Sequence, residues 1–257
     1  MKCICGESLF IDYPKFVNGV PVGICKECGR SRSFTSSFGN EERNRITIAC
    51  VLKSGGVYDV SYVKNLGNAL KRHVTVPFDF VCLTDMYIPA NICKSIKLKC
   101  NYPGWWSKVE LFTPDIIHTD RIVFFDLDTL IVGNIDHILL KKDEFIGLLP
   151  FNRTERMKGG FASGVMSWKN NGLFSFIASE FNNKKHIEEF RGDQDYFNYI
   201  LRCHKQKEIA LLTCQEGIYS YKKQCKLEVP KDTKVICFHG EPRIHNLKIP
   251  LVKENWK

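Results

Sequence analysis

From residue 45 onward the apolar positions fall into short continuous runs separated by amphipathic stretches. RITIACVL (45–52) reads as a buried strand, followed by a polar loop, KSGGVYDV (53–60), and an amphipathic helix, SYVKNLGNALKRH (61–73). PFDFVCLTD (77–85) predicts a second strand that ends at Asp85, and KSIKLK (94–99) a third. WWSKVELFTPDI (105–116) places apolar residues at helical spacing and predicts a helix. RIVFFDLD (121–128) is too uniformly apolar for a strand with one wet face. Alternation of buried strands with helices predicts an α/β fold whose mostly parallel sheet is covered by helices on both faces. Ligands of such sheets sit outside the carboxyl ends of the strands. Asp85, Asp126 and Asp128 all fall at such ends.

The first 40 residues follow a different pattern. Cys3 and Cys5 form one close pair and Cys25 and Cys28 another, each pair followed by a glycine, Gly6 and Gly29. Four thiolates on two turns suit tetrahedral Zn²⁺, and the pattern resembles a zinc ribbon whose first pair has one intervening residue instead of two. LFIDYPKFVNGVPVGI, between the pairs, predicts a hairpin turning at Asn18–Gly19. So short a segment buries too little to fold alone, and a structural zinc would supply its stability. SRSFTSSFGNEERNR (31–45) reads as a polar linker, which gives a module at 1–40 and a main domain at 45–257.

Composition narrows the function classes. The 257 residues carry 37 basic and 28 acidic side chains, a formal charge of +9. That excess favours a polyanionic partner: nucleic acid, an anionic membrane surface or phosphorylated substrates. Of the twelve cysteines, those beyond the first 28 residues lie mostly inside apolar runs, where they act as small hydrophobes of a reduced protein. No run approaches the roughly 20 apolar residues of a membrane span, and MKCICGESLF lacks the features of a signal peptide. The expectation is a cytoplasmic protein without a transmembrane segment.

FFDLDTLIVGNID (124–136) raises the sharpest chemical question. Two carboxylates at i and i+2 can both reach one hard divalent cation if the strand turns there, and Mg²⁺ or Mn²⁺ so held would bridge phosphates. Solvated aspartates at a strand-end turn are the plain alternative, because a D-x-D alone is common.

Five segments occur in order: YPGWWSKVELF, RIVFFDLDTLIVGNID, GGFASGVMSW, RGDQDYFN and VICFHGEPRIH. Together they resemble the nucleotide-sugar glycosyltransferases of the GT-A (Rossmann-like) fold, especially the glycogenin-like and galactosyltransferase-like family 8 group with its phage and bacterial relatives. The resemblance covers about residues 45 to 250. It implies a sugar transfer that uses a nucleotide-sugar donor, UDP-sugar favoured, and retains the anomeric configuration. Asp126 and Asp128 match the family's metal-binding pair, and His239 the late histidine completing a Mn²⁺ or Mg²⁺ shell. Lys108 stands where the family has a basic residue near the donor, and Arg243 where relatives have a lysine that reaches the diphosphate. Tyr58 matches a tyrosine stacked on the donor base. Asp85, Ser163, Gly164 and Gly240 complete the donor-binding set. Asp193 and Gln194 are assigned to catalysis, Asp193 on sugar hydroxyls and Gln194 at the face where a nucleophile or polar stabiliser would sit. A glutamine is a poor carboxylate substitute, so front-face attack by the acceptor is the expected route. Ala162 departs from the family, which has asparagine before Ser-Gly, and this leaves the sugar open.

The acceptor is read from charge and context. A hydroxymethylated pyrimidine in DNA, in a phage-type modification carried out in the host cytoplasm, fits the basic surface, the ribbon and the missing export signal; its base would have to be flipped or unpaired. A glycan such as a lipopolysaccharide core or capsule precursor is the second enzyme reading. A non-catalytic nucleic-acid-binding protein is the reading from another class, and the presence of Asp126, Asp128, His239, Asp193 and Gln194 argues against it.

Overall fold

The computed structural model describes residues 45–206 and 208–257, together with the backbone of Phe10–Val17, Val20–Ile24 and Ser31–Ser33. The chain divides into two compact units, Met1–Arg43 and Asn44–Lys257.

In the first unit, β1 (Phe10–Val17) and β2 (Val20–Ile24) pair antiparallel with Val17 opposite Val20, the register of the expected hairpin. The two turn residues, 18 and 19, and the four cysteines proposed as zinc ligands lie outside the described residues. A third strand, β3 (Ser31–Ser33), pairs antiparallel with β2. It replaces the start of the expected linker: backbone hydrogen bonds to β2 give these polar residues a structure that their composition does not suggest.

The second unit is built on a seven-stranded sheet. Along the chain its strands are β4 (Ile46–Leu52), β5 (Asp79–Thr84), β6 (Lys94–Lys97), β7 (Arg121–Phe125), β9 (Phe145–Leu148), β10 (Ala162–Lys169) and β11 (Ile209–Leu212). β8 (Thr129–Ile131), β12 (Ile218–Ser220) and β13 (Val235–Cys237) form a separate three-stranded sheet. The large sheet runs β11-β9-β10-β7-β4-β5-β6. All its pairings are parallel except those of β10, which runs against both β7 and β9. This is the mostly parallel α/β sheet that the apolar runs predicted.

Burial on both faces is visible in the alternation of side chains along one strand. Val123 and Phe125 of β7 enter one apolar core, Ile122 and Phe124 the other. On β4, Ile46, Ile48, Cys50 and Leu52 enter the first core and Ala49 the second. Helix α1 (Val60–His73) covers the first face with Tyr62, Val63, Leu66, Ala69 and Leu70. Its N-terminus is capped by the Asp59 carboxylate, which accepts from the Ser61 amide at 2.8 Å. Short helices α2 (Asp136–Leu139), α3 (Arg153–Met157), α4 (Phe176–Ser179), α5 (Asn183–Glu189), α6 (Asp193–Cys203) and α7 (Pro250–Asn255) complete the unit. α6 packs Tyr196, Phe197, Ile200 and Leu201 into the second core. β6 is an edge strand whose two lysines, Lys94 and Lys97, stay exposed, a protection against edge-to-edge pairing.

One expected element differs. The stretch expected as an amphipathic helix over 105–116 is a 3₁₀ helix, Gly104–Phe112. Pro103 and Pro114 bracket it and keep their neighbours extended. Every residue from Trp106 to Phe112 is buried, so no polar face is left for an amphipathic α-helix. Glu110 accepts from the amides of Lys99 and Cys100 at 2.7 and 3.0 Å, and Lys108 is directed into the site. Tertiary partners, not periodicity, set the winding here.

Candidate active site

β7 ends at Phe125, and the chain then leaves the large sheet for the small one. The Asp126 amide donates to the Gly164 carbonyl at 2.9 Å, and the Thr129 amide to the Asp126 carbonyl at 3.1 Å, which closes a tight turn. β8 follows and pairs antiparallel with β13. Asp126 and Asp128 therefore occupy the bend between two sheets, at the carboxyl end of a central strand. The Asp128 carbonyl accepts from the Phe238 amide at 3.1 Å, which ties this bend to the segment bearing His239.

Three chain segments meet at Lys108. Its Nζ lies 2.8 Å from Asp126 Oδ1 and 3.1 Å from Asp193 Oδ2, and the residue is only 8% exposed. Ser163 Oγ donates to the same Asp193 oxygen at 2.8 Å, and the Ser163 amide points at Gln194 Oε1 at 3.4 Å. Asp193 is the first residue of α6, where helix polarity favours a carboxylate. β10 pairs irregularly with β9 between Ala162 and Met166, so Ser163 and Gly164 leave the regular ladder beside the aspartates. A Cβ on Gly164 would stand 3.4 Å from Asp126 Oδ2, in ordinary van der Waals contact, so this residue borders the carboxylate directly.

Electrostatics follow from this packing. Burial drives the Asp126 carboxyl up to about 7; Lys108 opposes that rise, and Asp128 and Asp193 add to it. Burial also raises Asp128, against the hydrogen bond from Tyr58 and the charges of Lys108 and Arg243. Burial would lower the Lys108 ammonium, but its two carboxylates outweigh that and push it up, so it stays charged.

On the other side, the Tyr58 hydroxyl donates to Asp128 Oδ2 at 2.6 Å and accepts from Arg243 Nη1 at 2.5 Å. The guanidinium lies 5.5 Å from the Tyr58 ring centre, 3.9 Å from Asp128 Oδ2 and 3.5 Å from Glu241. Tyr58, expected to stack on a base, thus has its hydroxyl engaged with the carboxylate pair.

His239 is not gathered into a metal shell with Asp126 and Asp128. Its Nε2 is 2.7 Å from Ser220 Oγ, and its ring stacks on Phe151 at 5.5 Å with 9° between planes. Among the described residues no group of three His, Cys, Asp or Glu side chains could hold a metal ion. Asp126 and Asp128 share one bend, while the third expected ligand, His239, is engaged by Ser220 and Phe151. Asp126 and Asp128 each spend one oxygen on Lys108 or Tyr58 and keep the other without a hydrogen-bond partner among the described residues. That pair has the chemistry of a hard-cation site held by two carboxylates and completed by phosphate oxygens. Burial, Lys222 and Lys223 all lower the His239 pKa.

Asp85 stands apart from this cluster. It caps the loop after β4, accepting from the Ser54 amide (2.8 Å), the Ser54 hydroxyl (2.6 Å) and Lys53. Burial alone would raise its carboxyl, but these bonds outweigh it and hold it at about 2. Gly240 has φ +70°, a conformation open to glycine, directly after His239. Sequence reading missed Lys53, Ser54, Ser220 and Phe151, which position Asp85 and His239. None of them carries a spacing signal, because each acts across folded segments.

Beside Gln194 opens a cavity of about 280 Å³ between the 150–161 segment, which carries α3, and α6. Lys158, Arg191 and Arg202 line it with Phe190 and Tyr199, and Arg191 is held by Asp195 at 2.8 Å.

The unit is thus a mostly parallel sheet with one reversed strand, flanked by helices, with a carboxylate pair at the end of a central strand. The chain is similar in structure to the glycosyltransferase GlyE of Streptococcus pneumoniae TIGR4, at 14% identity, TM-score 0.60 and 83% coverage of this chain. It spans 59% of GlyE's length. It is also similar to an active-site mutant of LgtC, at 9% identity and TM-score 0.56, covering 81% of this chain and 93% of that one. Galactosyltransferase LgtC in complex with donor and acceptor sugar analogs gives 11% identity, TM-score 0.55, and coverage of 82% and 96%. No family model and no curated protein sequence matches the chain.

Proposed function

We propose that the chain is a glycosyltransferase that moves a sugar from a nucleotide-sugar donor, UDP-sugar favoured, to an acceptor hydroxyl with retention at the anomeric carbon. The observation that carries this is the buried Lys108, which joins Asp126 of the strand-end pair to Asp193 of the Asp-Gln segment, with Ser163 on the same carboxylate. Through Lys108 the aspartate pair is charge-linked to a third carboxylate, at the start of α6.

In this reading Asp193, held by Lys108 and Ser163, is fixed to accept from sugar hydroxyls, and Gln194 lies beside the anomeric carbon. The bond from that carbon to the diphosphate breaks, the bond to the acceptor oxygen forms on the same face, and the hydroxyl proton passes to the departing phosphate oxygen. Lys108 and Arg243 set a positive field for the departing charge. A Mn²⁺ or Mg²⁺ held by Asp126 and Asp128 would neutralise the nucleoside diphosphate as it leaves.

The favoured acceptor is a hydroxymethylated pyrimidine in DNA. The +9 charge supports it, as do Phe190 and Tyr199 in the cavity beside Gln194, which offer faces for an unstacked base, with Lys158 and Arg202 nearby for phosphates. A glycan acceptor is the second reading, favoured by the similarity to LgtC, whose solved complex holds donor and acceptor sugar analogs. The test is incubation of the full chain with UDP- and GDP-sugars, Mn²⁺, and hydroxymethylated or unmodified duplex DNA, followed by mass spectrometry of the digested nucleosides. A sugar adduct on the hydroxymethylated DNA alone is expected. Release of nucleoside diphosphate without an adduct shifts the acceptor to a glycan, and release from no donor overturns the transferase reading.

A further inference from the structure

We propose that Lys222 is the residue that receives the phosphate groups of the donor, an assignment that rests on the transferase reading above. The other cations of the site are already committed. Lys108 serves Asp126 and Asp193, and Arg243 serves Tyr58, Asp128 and Glu241. A diphosphate entering this site therefore needs a cation without a carboxylate of its own. Lys222 meets that condition: it is half-buried and has no ion-pair partner among the described residues. Holding an ammonium partly out of water without an anion is unfavourable, and a bound phosphate would offset that cost.

Its position is built by local structure. Lys222 lies on a π-helical turn, Tyr221–Cys225, a winding that is rare and concentrated at functional sites. The turn is pinned at its start: the Ser220 amide donates to Gln224 Oε1 at 2.9 Å, and Ser220 Oγ accepts from the Lys223 amide at 3.4 Å. The same Ser220 hydroxyl lies 2.7 Å from His239 Nε2, so one residue sets both the lysine turn and the imidazole. The ammonium is aimed at the segment after His239, where a Cβ on Gly240 would stand only 3.1 Å from Lys222 Nζ. Gly240, at φ +70°, lets the ammonium lie against its backbone, three residues before Arg243. A nucleoside diphosphate laid along Gly240 would meet Lys222 on one side and the Arg243 end of the carboxylate pair on the other.

Calorimetric titration of wild type, K222A, K222R and K223A, each with Mn²⁺ present, with UDP, GDP, ADP, uridine and inorganic pyrophosphate tests this. For the diphosphate that wild type binds, K222A is expected to weaken affinity about tenfold, the loss of one charge-assisted contact. K222R should restore most of it, K223A should change it less than threefold, and uridine binding and thermal midpoint should stay at wild-type values. Wild-type affinity in a folded K222A overturns the assignment alone. A wild type that binds none of the diphosphates overturns the transferase reading, and the assignment with it.

Discussion

The two ends of the site handle charge in opposite ways. At the Lys108 end two carboxylates converge on one buried ammonium, a serine hydroxyl braces one of them, every short contact is internal, and the residues come from four distant segments. At the Lys222 end the cation sits on a surface turn beside a glycine, with nothing of its own sign-opposite to hold. Satisfied charges fix geometry and present their remaining lone pairs in a set direction. Unsatisfied ones contribute little to the fold and have their interaction energy free for binding. The first end is thus read as scaffold and sugar contact, the second as the place for phosphates.

Substitutions should separate these roles. The largest effect is expected for Lys108→Ala, which leaves Asp126 and Asp193 buried without their cation: a loss of about 3–5 kcal/mol in urea unfolding, together with all transfer activity. If K108A unfolds like wild type, the inner end is not a buried ion-pair centre and the contrast fails. Asp128→Ala should abolish release of nucleoside diphosphate while the circular dichroism spectrum keeps its shape, and an active D128A removes the carboxylate pair from the chemistry. Tyr58→Phe sits between the ends: it deletes a hydroxyl that serves both Asp128 and Arg243. It should cost about 1–3 kcal/mol of stability and lower activity about tenfold. A smaller effect is expected at Asp85, outside both ends. Its carboxyl is held low in the fold, so its stabilisation is complete above the unfolded value near 3.8 and lost as pH falls towards about 2. The group is exposed, so the effect should stay below about 1 kcal/mol, read as the difference between wild type and Asp85→Asn across pH 2 to 5. An equal difference at pH 2 and pH 5 would show that Asp85 is not held by Lys53 and Ser54 through charge.

Legibility of the fold tracked how local its cause is. Strands β4, β5 and β7 could be read because both of their faces are buried, which leaves a continuous apolar run in the sequence. The 3₁₀ winding of Gly104–Phe112 could not, because it answers to the partners of Lys108 and Glu110 and not to a period. The small sheet of β8, β12 and β13 was also beyond reading: its strands are three residues long, and β8 pairs with β13 across about a hundred positions. In the site, Asp126, Asp128, Lys108, Ser163 and Asp193 were legible as motif residues, yet nothing in their spacing shows that Lys108 bridges two of them. His239 was legible as a residue, while its engagement with Ser220 was not, since that depends on β12 lying beside β13.

By itself the sequence determined the layered α/β class, the carboxylate turn at the end of β7, the hairpin of the first unit and the basic balance of the chain. Each of these is set within a dozen residues or by composition, where burial and backbone hydrogen bonding leave few alternatives. The tertiary structure decided which charges are paired and which stand open, because that depends on side chains brought together from strands, turns and helices far apart in the chain. A lysine is the same letter at 108 and at 222. Only the fold surrounds the first with carboxylates and leaves the second facing a glycine.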